Sequence, residues 1–267
     1  MDQRATTPPS LDGALARART YLESHGDGLD RARLAGGPAR PPVPQNSDGG
    51  WPSAWSAGAS AVLGTCQILD LLEGLESADA NPAAAVDYLL ATQAADGAWT
   101  ETADLSGWAG AEPPEWLRPG TSPARAYLTA YCARVLLVCA PDRPDVRDAV
   151  ERAAQALEWS LDPHGRLPGP LPGHWFAARV FRATDRQLPA RRLLDVVGRV
   201  FDQLDVADLA SFGADIDPAD RWAKRIATRL RSLQDEDGSW SAVGVSTPAL
   251  TAAVARVLLS AVDEGGF

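Results

Sequence analysis

Apolar positions recur along the chain in two different ways. Over residues 189–204, Leu193, Leu194, Val197, Val200, Phe201 and Leu204 share one face, with Arg191, Arg192, Asp195 and Arg199 opposite. Over 218–233, Trp222, Ile226, Leu230 and Leu233 do the same against Lys224, Arg225, Arg229 and Arg231. This spacing predicts amphipathic helices that cover a core and meet water on the other side; others are expected near 11–24, 82–93 and 145–159. Residues 59–72, 124–140 and 248–262 are instead apolar or small nearly all round, which predicts buried helices. The two kinds alternate, outer then inner.

Between an outer and an inner helix the same short text occurs three times. Gln45-Asn46-Ser47-Asp48-Gly49-Gly50-Trp51, Gln93-Ala94-Ala95-Asp96-Gly97-Ala98-Trp99 and Gln234-Asp235-Glu236-Asp237-Gly238-Ser239-Trp240 all read Q-x-x-D-G-x-W. A worn fourth copy is read at Trp159–Gly165, where the Gln and Trp positions are lost. An Asp-Gly pair just past a helix end supplies the residue that tolerates positive φ. The Trp two residues later covers the junction and still offers an N–H. Each helix pair leaves an apolar face that only a neighbour can cover, so the pairs have to stack. About five pairs are visible, and five or six can close on themselves. The expectation is one all-α domain over 1–267, an α/α-barrel, with residues 1–10 disordered.

The Q-x-x-D-G-x-W element resembles the QW repeat of squalene–hopene and oxidosqualene cyclases, and the helix alternation resembles protein prenyltransferase β-subunits. The resemblance implies that Gln45, Trp51, Gln93, Trp99, Gln234 and Trp240 are structural. It also implies an apolar cavity for a hydrophobic, isoprenoid-type small molecule. The family's catalytic signatures are not matched. No inner helix opens with D-x-D-D, D-D-x-x-D does not occur, and no D-x-C of a zinc site lies near Cys66, Cys132 or Cys139. With no second barrel in its 267 residues, such a chain closes its own cavity, dimerises, or uses a partner subunit.

Composition narrows the partners. A formal charge of −10 argues against nucleic acid, which needs a basic face. The apolar stretch 127–140 is broken by Arg134, and no run approaches the roughly 20 residues of a transmembrane segment. The start of the chain has no apolar signal region, so a cytoplasmic protein is expected. Three cysteines without short spacing read as small buried hydrophobes, and three scattered histidines suggest no metal; no cofactor is implied.

The candidate chemistry falls in three places. Asp215 and Asp217 lie two apart, and neighbouring, partly buried carboxyls keep one another protonated; Asp217 before Pro218 also reads as the cap of a helix starting there. The insertion 104–123 is long for a stacked repeat and reads as a lid, or else as a packed surface loop. It holds Trp108, Glu112, Glu115, Trp116 and Arg118, followed by Arg125, Tyr127 and Tyr131. With Trp55 and Trp175, these aromatics would shield a carbocation, and Arg118 and Arg125 would hold a diphosphate or carboxylate. His174 opens an inner helix and is an acid or base near neutral pH, or a satisfied core histidine. The first functional expectation is a terpene or meroterpene cyclase using Asp217, supported by Asp215, as Brønsted acid. The alternative is a non-catalytic module that binds an isoprenoid, a lipid or a partner.

Overall fold

The computed structural model describes residues 9–77, 79–101 and 113–263. The protein is all-α, 61% helix against 2% strand. The one-sided segments become α1 (Leu11–His25), α4 (Pro82–Thr92), α6 (Pro144–Ser160), α8 (Gln187–Val200) and α10 (Arg221–Ser232). The apolar ones become α3 (Val62–Leu71), α5 (Ser122–Cys139) and α11 (Thr247–Asp263), and the inner helix that His174 opens is α7 (Pro172–Ala183). Two further helices escape the periodicity: α2 (Gly28–Ala35) and α9 (Val206–Asp215). Each is short and starts at an aspartate. Asp27 and Asp30 form a reciprocal capping box on α2, and Asp205 accepts from the Asp208 N–H on α9, satisfying amides a helix start leaves open. The only sheet among the described residues is a minimal antiparallel pair, β1 (Trp51–Pro52) and β2 (Ser60–Ala61). Ser10, expected to be disordered, is the N-cap of α1; residues 1–8 lie outside the described residues.

The chain forms two compact units, residues 40–201 and residues 1–39 with 202–267. In the larger, α5 is the central helix and packs on α3, α6 and α7, while α8 packs on α7. In the smaller, α11 is the central helix and packs on α1, α2, α9 and α10.

The three repeated turns share one bonding scheme. Gln45 Nε2 donates to Gly49 O at 2.7 Å and to Asn81 O at 2.9 Å. Gln93 Nε2 donates to Gly97 O and Ala149 O at 2.9 and 2.8 Å, and Gln234 Nε2 to Gly238 O and Ala14 O at 3.0 and 2.9 Å. Each glutamine therefore ties its own turn to the start of another one-sided helix. The third reaches back 220 residues to α1, within the smaller unit. The motif glycines have φ near +90°, and a Cβ on any of them would come within 3.0 Å of the backbone of that same helix. Close approach and positive φ together require glycine.

The backbone N–H of each motif tryptophan finds a threonine on a buried helix. Trp51 donates to Thr65 Oγ1 at 2.9 Å, Trp99 to Thr129 Oγ1 at 3.0 Å and Trp240 to Thr251 Oγ1 at 3.1 Å. All three rings are 0% exposed. The indole N–H of Trp99 and Trp240 reaches Leu89 O and Leu230 O, both at 2.7 Å, ten residues back in α4 and α10. Trp51 has no such helix behind it, because Gly37–Pro44 is not helical, and its buried Nε1 finds no hydrogen-bond partner.

Candidate functional site

The worn fourth turn decides what His174 does. Asp162 N–H meets Arg166 O, and Gly165 N–H meets Asp162 O, both at 2.9 Å. The same pair closes the intact turns, as in Ala94 to Ala98 and Gly97 to Ala94. The register places Leu161 where Gln stood and Leu167 where Trp stood. Leu167 N–H then points at His174 Nε2, 3.4 Å away. His174 thus stands where the other turns use threonine, as an acceptor from the neighbouring helix. Burial holds its imidazole below the ordinary value, against an opposing pull from the backbone of Leu171 and Pro170. The histidine expected as an acid or base, or else as a core histidine, is buried in the packing of this turn on α7. It also lines a small cavity of about 370 Å³ with Leu171, Val196, Arg166 and Arg199.

Asp217 and Asp215 belong to the smaller unit. Asp217 is exposed, and its Oδ1 accepts from Ala219 N–H at 2.9 Å. Its own carbonyl takes the Asp220 N–H at 2.8 Å, so the chain makes one turn before the helix starts. The cap of α10 is consequently Asp220, whose side chain accepts from Trp222 N–H at 3.0 Å, and not Asp217. Asp215 is buried in the last turn of α9.

Arg125 is held by Asp96 of the second repeated turn. Against the cost of burial, hydrogen bonds from Ala98 N–H and the Arg125 guanidinium keep Asp96 below the usual carboxylate range. Arg118 is exposed beside a 3-10 turn, Glu115–Leu117. Trp108 and Glu112, with the rest of 104–112, lie outside the described residues. Trp55 is half-buried in the loop between β1 and β2, its backbone N–H on Ser53 Oγ at 3.2 Å. Trp175 is 1% exposed and belongs to the core.

The remaining aromatics do converge. Trp116, at the surface, meets Tyr127 edge-on at 5.2 Å, and Tyr127 lies 5.9 Å from Tyr131. Phe176, which sequence reasoning passed over, stacks on Tyr131 at 4.9 Å and 14°. This row ends at a cavity of about 520 Å³ on α3 and α5. Its walls are Pro42, Val43, Pro52, Ala54, Ile68 and Leu71, and its polar groups are Ser53, Gln67, Asp70 and Tyr131. Gly64 also lines it; a side chain there would strike the Pro52–Ser53 backbone, so α3 rests directly on β1.

The charged end of this cavity is Asp70. It accepts from the Tyr131 hydroxyl at 3.2 Å and is ion-paired with Arg134. The Arg134 side chain is only 3% exposed and also lies 3.6 Å from Glu73. Burial raises the Tyr131 phenol far above its ordinary value, and Asp70 reinforces this while Arg134 opposes it. Tyr131 therefore stays a neutral donor. Beside the cavity, Cys66 and Cys132 are fully buried with their sulfurs 3.3 Å apart, and burial raises the Cys132 thiol. Glu101 is also buried, accepting from Leu63 and Val62 N–H at 2.6 and 3.0 Å. It caps α3 from outside that helix. Burial raises this carboxyl, and the two amides lower it.

Among the described residues no group of three or more His, Cys, Asp or Glu side chains is placed to hold a metal, and no helix is long and apolar enough to cross a membrane. In comparisons with known proteins, no family model and no curated sequence matches this chain.

Proposed function

We propose that the chain is a QW-type α/α-barrel that holds an apolar, isoprenoid-type small molecule in the α3–α5 cavity, as a binding module and not as a cyclase. The observation that carries this reading is the cavity itself, with apolar walls and a single fixed carboxylate at one end. Its volume is in the usual range for small-molecule sites, roughly 300–1,000 Å³, and few polar groups among apolar walls is their usual lining. The scaffold part rests on three turns with one bonding scheme. The binding part rests on how Asp70 meets its neighbours: guanidinium and phenol both donate to it. Starting a polyene cyclisation needs a carboxyl that donates.

The test is a titration of geraniol into the protein, followed by calorimetry. Saturable one-to-one binding is expected, with at least tenfold loss in Ala54→Trp and in Val43→Trp, which fill the cavity from its wall. Equal affinity in parent and filled variants would place the ligand elsewhere and overturn the reading. A second reading, a terpene or meroterpene cyclase, is favoured by one observation, the aromatic row Trp116–Tyr127–Tyr131–Phe176, since such faces stabilise a cation. Incubation with polyene substrates and mass spectrometry of the extract decides it: a new cyclic product supports the cyclase, unchanged substrate the module.

A further inference from the structure

The cavity has a polar end of definite sign, and that sign bears on the head group of the ligand. Asp70 is the one charged residue among its lining residues. Its two oxygens are used once each, Oδ1 by Arg134 and Oδ2 by the Tyr131 hydroxyl. A carboxylate offers about four acceptor positions, so the face toward the cavity retains acceptor capacity and lacks donors. Arg134 does not reverse this. Its side chain is buried behind Asp70 and shared with a second carboxylate, Glu73. Two carboxylates, Asp70 and Glu73, therefore stand about this guanidinium.

The two arginines the sequence offers for an anion do not alter the balance here. Arg125 is engaged by Asp96, and neither it nor Arg118 lines the cavity. The whole chain carries −10, so the long-range field also repels anions. Next to Asp70 stands Tyr131, whose ring is stacked on Phe176 and lies near Tyr127. Tyr131 is the one aromatic residue in the lining, and the Asp70 carboxylate beside it favours a cation.

We infer that the cavity selects an apolar chain ending in a protonated amine, and disfavours the diphosphate ester of the same chain. This rests on the proposed binding of an apolar molecule in the α3–α5 cavity and names its head group. The ammonium donates to the free face of Asp70, the Gln67 amide and Ser53 hydroxyl line its path, and the hydrocarbon lies on Pro42, Val43, Pro52 and Leu71. An alcohol offers one donor and no charge. A diphosphate meets a carboxylate with no available cation, and like charges brought together repel.

Geranylamine, geraniol and geranyl diphosphate share one hydrocarbon and differ only at the head, so their dissociation constants at neutral pH isolate it. The expected order is amine tightest, at least tenfold over the alcohol, with the diphosphate weakest. Asp70→Asn should bring amine and alcohol to within about twofold, a change in selectivity of about fivefold or more, or about 0.95 kcal/mol at RT ≈ 0.59 kcal/mol. Glu73→Gln removes a carboxylate farther from the ligand, and should lower the amine preference by a smaller factor in a protein that stays folded even if Asp70→Asn does not. Equal affinities for all three, tightest binding of the diphosphate, or an amine preference unchanged in both variants would each overturn the inference while leaving the apolar site intact. Binding of none of the three would overturn the site and the inference together.

Discussion

Helix α5 carries two arginines that each meet an aspartate, and the two pairs differ in what they leave over. Arg125 grips Asp96 near the start of the helix, in a pair open to solvent on both sides. Asp96 also takes an amide from its own turn, so its acceptors close that turn. Arg134, nine positions on, grips Asp70 from a buried position, and Asp70 turns its remaining face to an apolar cavity. Asp96 fastens a repeat; Asp70 is the residue proposed to meet the ligand. An ion pair becomes a site when one member is buried and the other keeps acceptors facing a space that a ligand can fill.

The largest expected effect comes from breaking the buried pair. Asp70→Ala removes one carboxylate from the buried Arg134, which keeps Glu73 at 3.6 Å. Removing one partner of a fully buried pair costs about 3–5 kcal/mol; because water reaches Asp70, about 2–3 kcal/mol is expected here. Denaturant unfolding measures it, and a loss below about 0.5 kcal/mol would make this pair no different from an exposed one.

Next come the tryptophans, where two copies of one turn differ by one hydrogen bond. Trp99→Phe removes the indole hydrogen bond to Leu89 O, which keeps the Thr92 hydroxyl as a donor, and should cost about 0.5–1.5 kcal/mol, as a typical hydrogen bond does. Trp51→Phe removes a buried N–H that already lacks a partner, so it should cost less by about 1 kcal/mol. Equal losses in urea melts would contradict the distinction.

The buried histidine gives a pH effect whose sign follows from its lowered imidazole. The folded imidazole is lowered from 6.5, so the unfolded chain takes up its proton first. Stability from this site is therefore complete above about pH 6.5 and lost as pH falls from there through the folded value. His174→Thr restores the acceptor used by the other three turns and should flatten the slope of stability against pH in that window. An unchanged slope would mean that His174 does not carry it.

The smallest effects belong to the fastening pair and the exposed turn. Arg125→Gln should cost under about 1 kcal/mol, as exposed pairs do, and leave ligand affinity unchanged. Asp217→Asn keeps the acceptor for Ala219 N–H and should change melting temperature and binding by no more than error. A large loss of binding in Asp217→Asn, with stability intact, would return that residue to the mechanism.

Much of the scaffold was legible because it repeats. One-sided and all-round apolar spacing located eight helices, and the repeated text located three turns whose Gln side chains and Trp backbone N–H groups bond alike. Helices α2 and α9 were missed because each is short and mixes polar residues into its buried face, Asp30 and Asp215 among them. The extra turn before α10 was missed because Asp217-Pro218 and Asp220-Arg221 offer two starts three residues apart, and local hydrogen bonding selects the second. The candidate site was less legible. Adjacent carboxylates and a rare histidine drew attention to Asp215, Asp217 and His174. The better signal was a charge inside an otherwise apolar helix: Asp70 in Ile68-Leu69-Asp70-Leu71, and Arg134, which breaks the apolar run of α5. A charge there has to be paired or face a cavity, yet only the packing of α3 on α5 reveals that these two meet.

The central claim is that Asp70 and its cavity, and not Asp215 with Asp217, are where this chain meets a small molecule. Backbone amide shifts recorded during a geraniol titration test it most directly. Saturable shifts are predicted at Ser53, Gln67, Asp70 and Tyr131, with Asp215 and Asp217 unmoved. Shifts centred on Asp215–Asp217 or on His174, with the α3–α5 residues still, would contradict it.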